Sequence, residues 1–110
     1  ISHKLSGIIA TNTTISRADL ATSAATIESI GNGGLSGQPV KQRATEVIAH
    51  IKAVAGDRLA IIGVGGIQSG ADAVEKIKAG ADLVQVYTGF IYAGPWITQD
   101  VCKALPLNPN

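Results

Sequence analysis

Leu59-Ala60-Ile61-Ile62-Gly63-Val64-Gly65-Gly66-Ile67 is the stretch that decides how this chain folds. Leu59 to Val64 is an apolar run of strand length with no polar alternation. Such runs mark strands covered on both faces, as in parallel sheets. The run ends in a glycine pair, and a helical pattern follows from Gly70 to Ala79. Ser69 can cap that helix, Asp72 three positions on gives a capping-box-like start, and Gly80 can end it. Val74 and Ile77 are expected to face inward. Strand, glycine turn and helix together make one βα unit.

The same unit recurs on either side. Upstream, Val40, Ala44, Val47, Ile48, Ile51 and Val54 or Ala55 trace one helical face between Pro39 and Gly56. Before that comes a short apolar strand, Gly7-Ile8-Ile9-Ala10. Downstream, Leu83-Val84-Gln85-Val86-Tyr87 reads as a third strand, and Trp96 to Ala104 as a weaker helix. Pro106 and Pro109 exclude a helix in the tail. Residues 13 to 38 are rich in Thr, Ser, Ala and Gly. Within them, Ser16 to Ile30 has room for a short helix, because Asp19 to Ile27 contains no breaker. Repeated βα units predict a parallel sheet.

Composition narrows the function classes. With 45% apolar and 15% charged residues and a net charge of +1, the chain is too apolar for disorder and too balanced for an electrostatic nucleic-acid binder. No apolar run approaches the roughly 18 residues of a membrane helix. Neither His3 nor His50 has a partner at metal-ligand spacing, and no metal site is expected. His50 reads as a surface residue, and the single cysteine, Cys102, as a small packing residue. No acid–base pair or nucleophile triad is visible. The carboxylates lie off the strand ends, and most read as solvated charge.

In βα folds, ligands sit at the C-terminal ends of the strands. There the chain carries Thr11-Asn12-Thr13-Thr14, Gly65-Gly66 and Tyr87-Thr88-Gly89. Glycines at such turns let backbone N–H groups approach an anion closely. Two consecutive loops of this kind match the phosphate site of many barrels, with Phe90-Ile91-Tyr92-Ala93 as the short extra helix. The same glycines would also serve tight turns that bind nothing. Thr11-Asn12-Thr13 offers a full donor and acceptor set, but taken alone it reads more plainly as a local Asx or Ser/Thr turn. Gly33-Gly34-Leu35-Ser36-Gly37 is either a backbone cover over a ligand or a flexible loop. The dinucleotide fingerprint and the P-loop lysine are both absent.

Four motifs stand in one order: Ile8-Ile9-Ala10-Thr11-Asn12-Thr13-Thr14, Gly33-Gly34-Leu35-Ser36-Gly37-Gln38-Pro39, Ile61-Ile62-Gly63-Val64-Gly65-Gly66-Ile67 and Leu83-Val84-Gln85-Val86-Tyr87-Thr88-Gly89-Phe90-Ile91-Tyr92. From about Gly7 to Pro95 the chain resembles the C-terminal part of class 2, quinone-dependent dihydroorotate dehydrogenases. It departs from them at Ser6, where an aspartate is usual, at Ala60, where a proline is common, and at Trp96.

The resemblance implies an α/β fold: about strands six to eight of an FMN-binding (β/α)8 barrel, incomplete on its own. Residues 1–110 would be the last βα units, with 96–110 the final helix and tail. It implies that Thr11, Gly37, Gly66, Tyr87 and Thr88 bind FMN, and that Asn12 and Thr13 bind dihydroorotate or orotate. The implied reaction is the oxidation of dihydroorotate to orotate in pyrimidine synthesis. A base takes the C5 proton, hydride passes from C6 to flavin N5, and quinone reoxidises the flavin.

The implied base is a serine on an earlier loop, so no catalytic residue is expected in this chain. A flavin-side lysine and an N-terminal helical extension that meets the membrane and quinone would also lie in the remaining N-terminal part of the barrel. The implied location is peripheral, on the cytoplasmic side of a bacterial inner membrane, or on the mitochondrial inner membrane in a eukaryote. A full barrel needs about 250 residues. The 110 residues here, with no methionine, are therefore expected to be a piece of one and inactive alone. The alternative is a non-catalytic barrel fragment that binds FMN or phosphate, or only self-associates through open strand edges.

Overall fold

The computed structural model describes residues 3–105. The chain runs through β1 (Gly7–Ala10), α1 (Ala24–Ile30), a 3-10 turn (Gln38–Val40), α2 (Lys41–Ala55), a second 3-10 turn (Gly56–Arg58), β2 (Ala60–Val64), α3 (Gly70–Ala79), β3 (Leu83–Gln85), α4 (Thr88–Ala93) and α5 (Ile97–Ala104). The strands form one parallel sheet in the order β1-β2-β3. Pro106 and Pro109 lie outside the described residues. Among the described residues, no helix is long and apolar enough to cross a membrane.

The helices form as the pattern predicts, with two refinements. Pro39 sits in the 3-10 turn, whose end leads directly into α2. Ser69 caps α3 by accepting from the Asp72 amide at 3.3 Å. The Asp72 carboxylate, however, reaches back to the Gln68 amide at 3.0 Å, one residue before the cap. The short helix in the 13–38 segment is α1, whose N-cap is Ser23, hydrogen-bonded to the Thr26 amide.

One face of the sheet is covered. Ala10, Ile48, Ile61 and Ala81 form a core between β1, β2 and α2, joined by Ile8, Val47, Ile51 and Ile77. Burying side chains the size of Ile48 and Ile61 stabilises the fold by about 1.5–3 kcal/mol each. A second core joins α3 to α5 through Ile67, Ala73, Ile97 and Val101.

The opposite face is open, contrary to the expectation from the unbroken apolar runs. Ile9, Ile62 and Leu83 are register partners across all three strands. Ile9 is 58% and Leu83 63% exposed. These side chains make a strip of apolar surface that nothing among the described residues covers. That is how three strands of a barrel look from the inside.

Other expectations are corrected or sharpened. Strand β3 ends at Gln85, not Tyr87, because its partner β2 turns away at Gly65 just after the Val64–Gln85 pair. On α3 the buried positions are Gly70, Ala73 and Lys76; Ile77 does face inward and packs against the first core, half-buried, and Val74 is half-buried. Cys102 is exposed and fills no core. Asp82 is exposed, as most carboxylates were expected to be, yet its carboxylate also accepts from the Ile61 amide at 2.8 Å and ties the turn after α3 to β2.

Candidate functional site

The C-terminal ends of the three strands open into one cavity of about 530 Å3. All seven residues singled out from sequence line it: Thr11, Asn12, Thr13, Gly37, Gly66, Tyr87 and Thr88. None of its lining residues is charged. The polar groups are hydroxyls, the amides of Asn12 and Gln85, and backbone.

Each loop reaches the cavity for a local reason. β1 stays paired to β2 up to the Thr11 amide, which donates to the Val64 carbonyl at 2.9 Å. The chain then folds on itself at Asn12, whose Oδ1 accepts from the Thr13 amide at 2.7 Å. That contact is to the next residue and is not an Asx turn, whose bond reaches two residues on. The turn of that kind here lies at Thr14, whose hydroxyl accepts from the Ser16 amide at 3.1 Å. The Asn12 contact leaves the Asn12 NH2 group without a protein acceptor among the described residues, at the wall of the cavity.

The glycine-rich segment is ordered by partners from the β1 loop. Thr14 and Leu35 exchange two backbone hydrogen bonds, at 2.9 and 2.8 Å. Arg17 donates to the Gly33 carbonyl at 2.5 Å and to the Thr14 carbonyl at 3.4 Å. Further along, the Ser36 hydroxyl meets the Thr88 hydroxyl at 2.7 Å. The segment that reads as either a backbone cover or a flexible loop is thus tied down on both sides of the cavity.

After β2, Gly65 has φ +129° and Gly66 φ +71°, conformations that favour glycine. A Cβ on Gly66 would also overlap the Cα and Cβ of Lys41 at the start of α2. Gly37 has φ +81°, and a Cβ there would press on Thr88 Cγ2 at 3.2 Å. At the third strand end, Phe90 and Ile91 donate back to the Tyr87 carbonyl, opening α4. The Thr88 and Gly89 amides precede the first intrahelical bonds and have no acceptor within the helix.

Behind Gly66 lies a cluster of charged groups. Lys41 Nζ is 2.8 Å from Asp72 Oδ1 and 3.8 Å from Glu75 Oε2. The hydrogen bond to Asp72 raises the Lys41 ammonium above its usual range. Burial works to raise the Asp72 carboxyl, but Lys41, the Gln68 amide and Ser69 together hold it below the usual carboxylate range. Lys76 is fully buried, and that burial lowers its ammonium below the usual lysine range.

Sequence reasoning found the cavity wall but missed its supports. Ser36 stood unremarked inside its motif, although its position next to Gly37 is the signal for it. Arg17, Lys41 and Lys76 carry no pattern that separates them from surface charge.

The donor set fits a phosphate monoester. Gly65, Gly66, Thr88 and Gly89 bring backbone amides to the lining with the hydroxyl-bearing residues Thr11, Thr13, Ser36, Tyr87 and Thr88, and no carboxylate lines the cavity to repel an anion. The apolar strip formed by Ile9, Val64 and Val86 in the same cavity suits the body of an aromatic ring system.

The chain and its fold match known proteins. The family model for dihydroorotate dehydrogenase matches residues 1–108. A Pseudoalteromonas translucida protein named dihydroorotate dehydrogenase (quinone) is 50% identical over 105 residues, covering 96% of this chain and 30% of its own length. A Thermobifida fusca protein of the same name is 56% identical over 91 residues, covering 83% of this chain and 24% of its own. Among solved structures, the DHODH of Eimeria tenella in complex with ferulenol superposes with a TM-score of 0.81 at 40% identity, over 91% of this chain and 26% of that one. Its ligand-free form gives 0.80. The chain thus spans 30% or less of the length of these relatives.

Proposed function

Because this chain belongs to the dihydroorotate dehydrogenase family, we propose that the protein it is part of oxidises dihydroorotate to orotate with FMN and a quinone, in pyrimidine synthesis. The observation that carries this reading is convergence. Residues from four separate segments, Thr11 to Thr13, Ser36 and Gly37, Gly65 and Gly66, and Tyr87 to Gly89, meet at one uncharged cavity at the strand ends.

FMN, when bound, supplies the two-electron acceptor that takes hydride from C6 of dihydroorotate and is reoxidised by quinone. The residues of this chain bind and orient. The Gly65, Gly66, Thr88 and Gly89 amides and the Thr88 hydroxyl hold the phosphate. Tyr87 would line the phosphate site beside Thr88, while Gly37 would contribute to flavin binding and Thr11 would contact the flavin at the end of β1. Asn12 and Thr13 hold the substrate ring, the Asn12 NH2 giving hydrogen bonds to its carbonyl or carboxylate oxygens.

No residue of this chain is assigned the proton abstraction. That base, the other strands of the barrel and any contact with membrane and quinone are assigned to the rest of the barrel. The open strip of Ile9, Ile62 and Leu83 supports this division, since a closed barrel would cover it. Purifying the complete protein and identifying the flavin released on denaturation tests the cofactor. FMN supports the reading, and FAD or no flavin contradicts it.

A further inference from the structure

Lys76 lies on α3 outside the cavity lining and is fully buried. Its ammonium donates to the Lys41 carbonyl at 2.7 Å and to the Thr45 hydroxyl at 2.5 Å, both in the first turns of α2. Among the described residues it makes no ion pair of its own. The nearest link to a carboxylate runs through Thr45, whose hydroxyl stands 3.3 Å from Glu75 Oε1 and 3.1 Å from the Lys41 carbonyl. Taking an ammonium out of water is costly, and an apolar side chain of the same length would fill this space without that cost. What the ammonium holds is therefore the informative part.

It holds Lys41. A Cβ on Gly66 would come within 2.7 Å of Lys41 Cα, so the Lys41 backbone is the wall on which the Gly65–Gly66 turn rests. Lys41 is gripped at both ends by α3. Its ammonium meets Asp72, which also takes the Gln68 amide just past the turn, and its carbonyl is held by Lys76.

We propose that Lys76 is a positioning residue for the phosphate cradle, fixing the start of α2 against Gly66 and so setting where the Gly65 and Gly66 amides stand. This rests on reading the cavity as the FMN site. Lys76 touches neither flavin nor substrate. It acts through Lys41, and its effect is confined to the phosphate end of the ligand.

The test uses the complete enzyme stripped of flavin, titrated with FMN and with riboflavin, which lacks the phosphate. Lys76→Met is expected to weaken FMN binding about tenfold, the lower end of what one hydrogen bond from a charged group is worth. Riboflavin binding should stay the same, so the preference for FMN falls. Thr45→Val, which keeps Lys76 and removes one of its acceptors, should shift the preference the same way by less.

An unchanged preference in Lys76→Met, or equal weakening of both ligands, overturns the proposal and leaves Lys76 a general support of the fold. If Lys76→Met does not fold, Thr45→Val decides by the same criterion. A wild-type protein that binds riboflavin as tightly as FMN would overturn the phosphate site itself, an outcome separate from any effect of the variants.

Discussion

The hydroxyl oxygens of Ser36 and Thr88 stand 2.7 Å apart although 52 positions separate them in the chain. This contact closes the glycine-rich segment onto the start of α4, with Gly37 and Thr88 both at the cavity wall. Ser36→Ala removes one partner and leaves the Thr88 hydroxyl in place. A lost hydrogen bond of this kind is worth about 1 kcal/mol, or roughly fivefold in affinity. FMN titration of the flavin-free enzyme should show that loss for Ser36→Ala. A larger one is expected for Thr88→Val, which takes the hydroxyl itself out of the cradle.

Gly66→Ala and Gly33→Ala form a matched pair. At Gly66 the added methyl meets a positive φ and the Lys41 side chain together. At Gly33 it meets nothing within 4 Å, and φ lies outside the positive range. The Gly66→Ala enzyme should purify without flavin, while Gly33→Ala should hold flavin like the wild type. The absorbance ratio of flavin to protein reads both.

Asn12→Ala should leave flavin content unchanged and impair the reaction with dihydroorotate. Hydrogen bonds to a charged ligand contribute about 1.5–3 kcal/mol, so kcat/KM should fall roughly 10- to 150-fold. Steady-state kinetics on the complete enzyme would show it, and unchanged kinetics would remove Asn12 from the substrate site.

Stability in acid should depend on Asp72. Its carboxyl is held below the ordinary aspartate range when folded, so the unfolded chain binds its proton more readily. The stabilisation is complete above that ordinary range and is lost as pH falls through the lowered folded value. Asp72→Asn should be less stable near neutrality and lose less on acidification. Lys76 has the opposite sign. Its lowered ammonium disfavours folding at neutral pH, and that cost is relieved as pH rises toward the ordinary lysine range. Thermal unfolding of the wild type, Asp72→Asn and Lys76→Met across pH measures both slopes.

Much of the framework was legible because it rests on local signals. The Leu59–Val64 run, the helical spacing from Val40 to Ala55 and the glycines after each strand are short-range patterns. They gave three parallel strands and a shared cavity at their ends. Three things were not legible. Lys76 sits in Glu75-Lys76-Ile77-Lys78, which reads as solvated charge, and only the crossing of α3 over α2 buries it. The tie between Ser36 and Thr88 is a contact over long sequence separation with no periodic signature. The open strip of Ile9, Ile62 and Leu83 could not be seen in the apolar runs, because a run records what a strand can bury and not whether this chain supplies the cover.

The central claim is that this cavity belongs to an enzyme that moves electrons from dihydroorotate through FMN to quinone. Its most direct test is the visible spectrum of the complete protein under anaerobic conditions. On addition of dihydroorotate the flavin bands should bleach, and a soluble quinone should restore them. A flavin-loaded protein whose spectrum does not change with dihydroorotate would contradict the account.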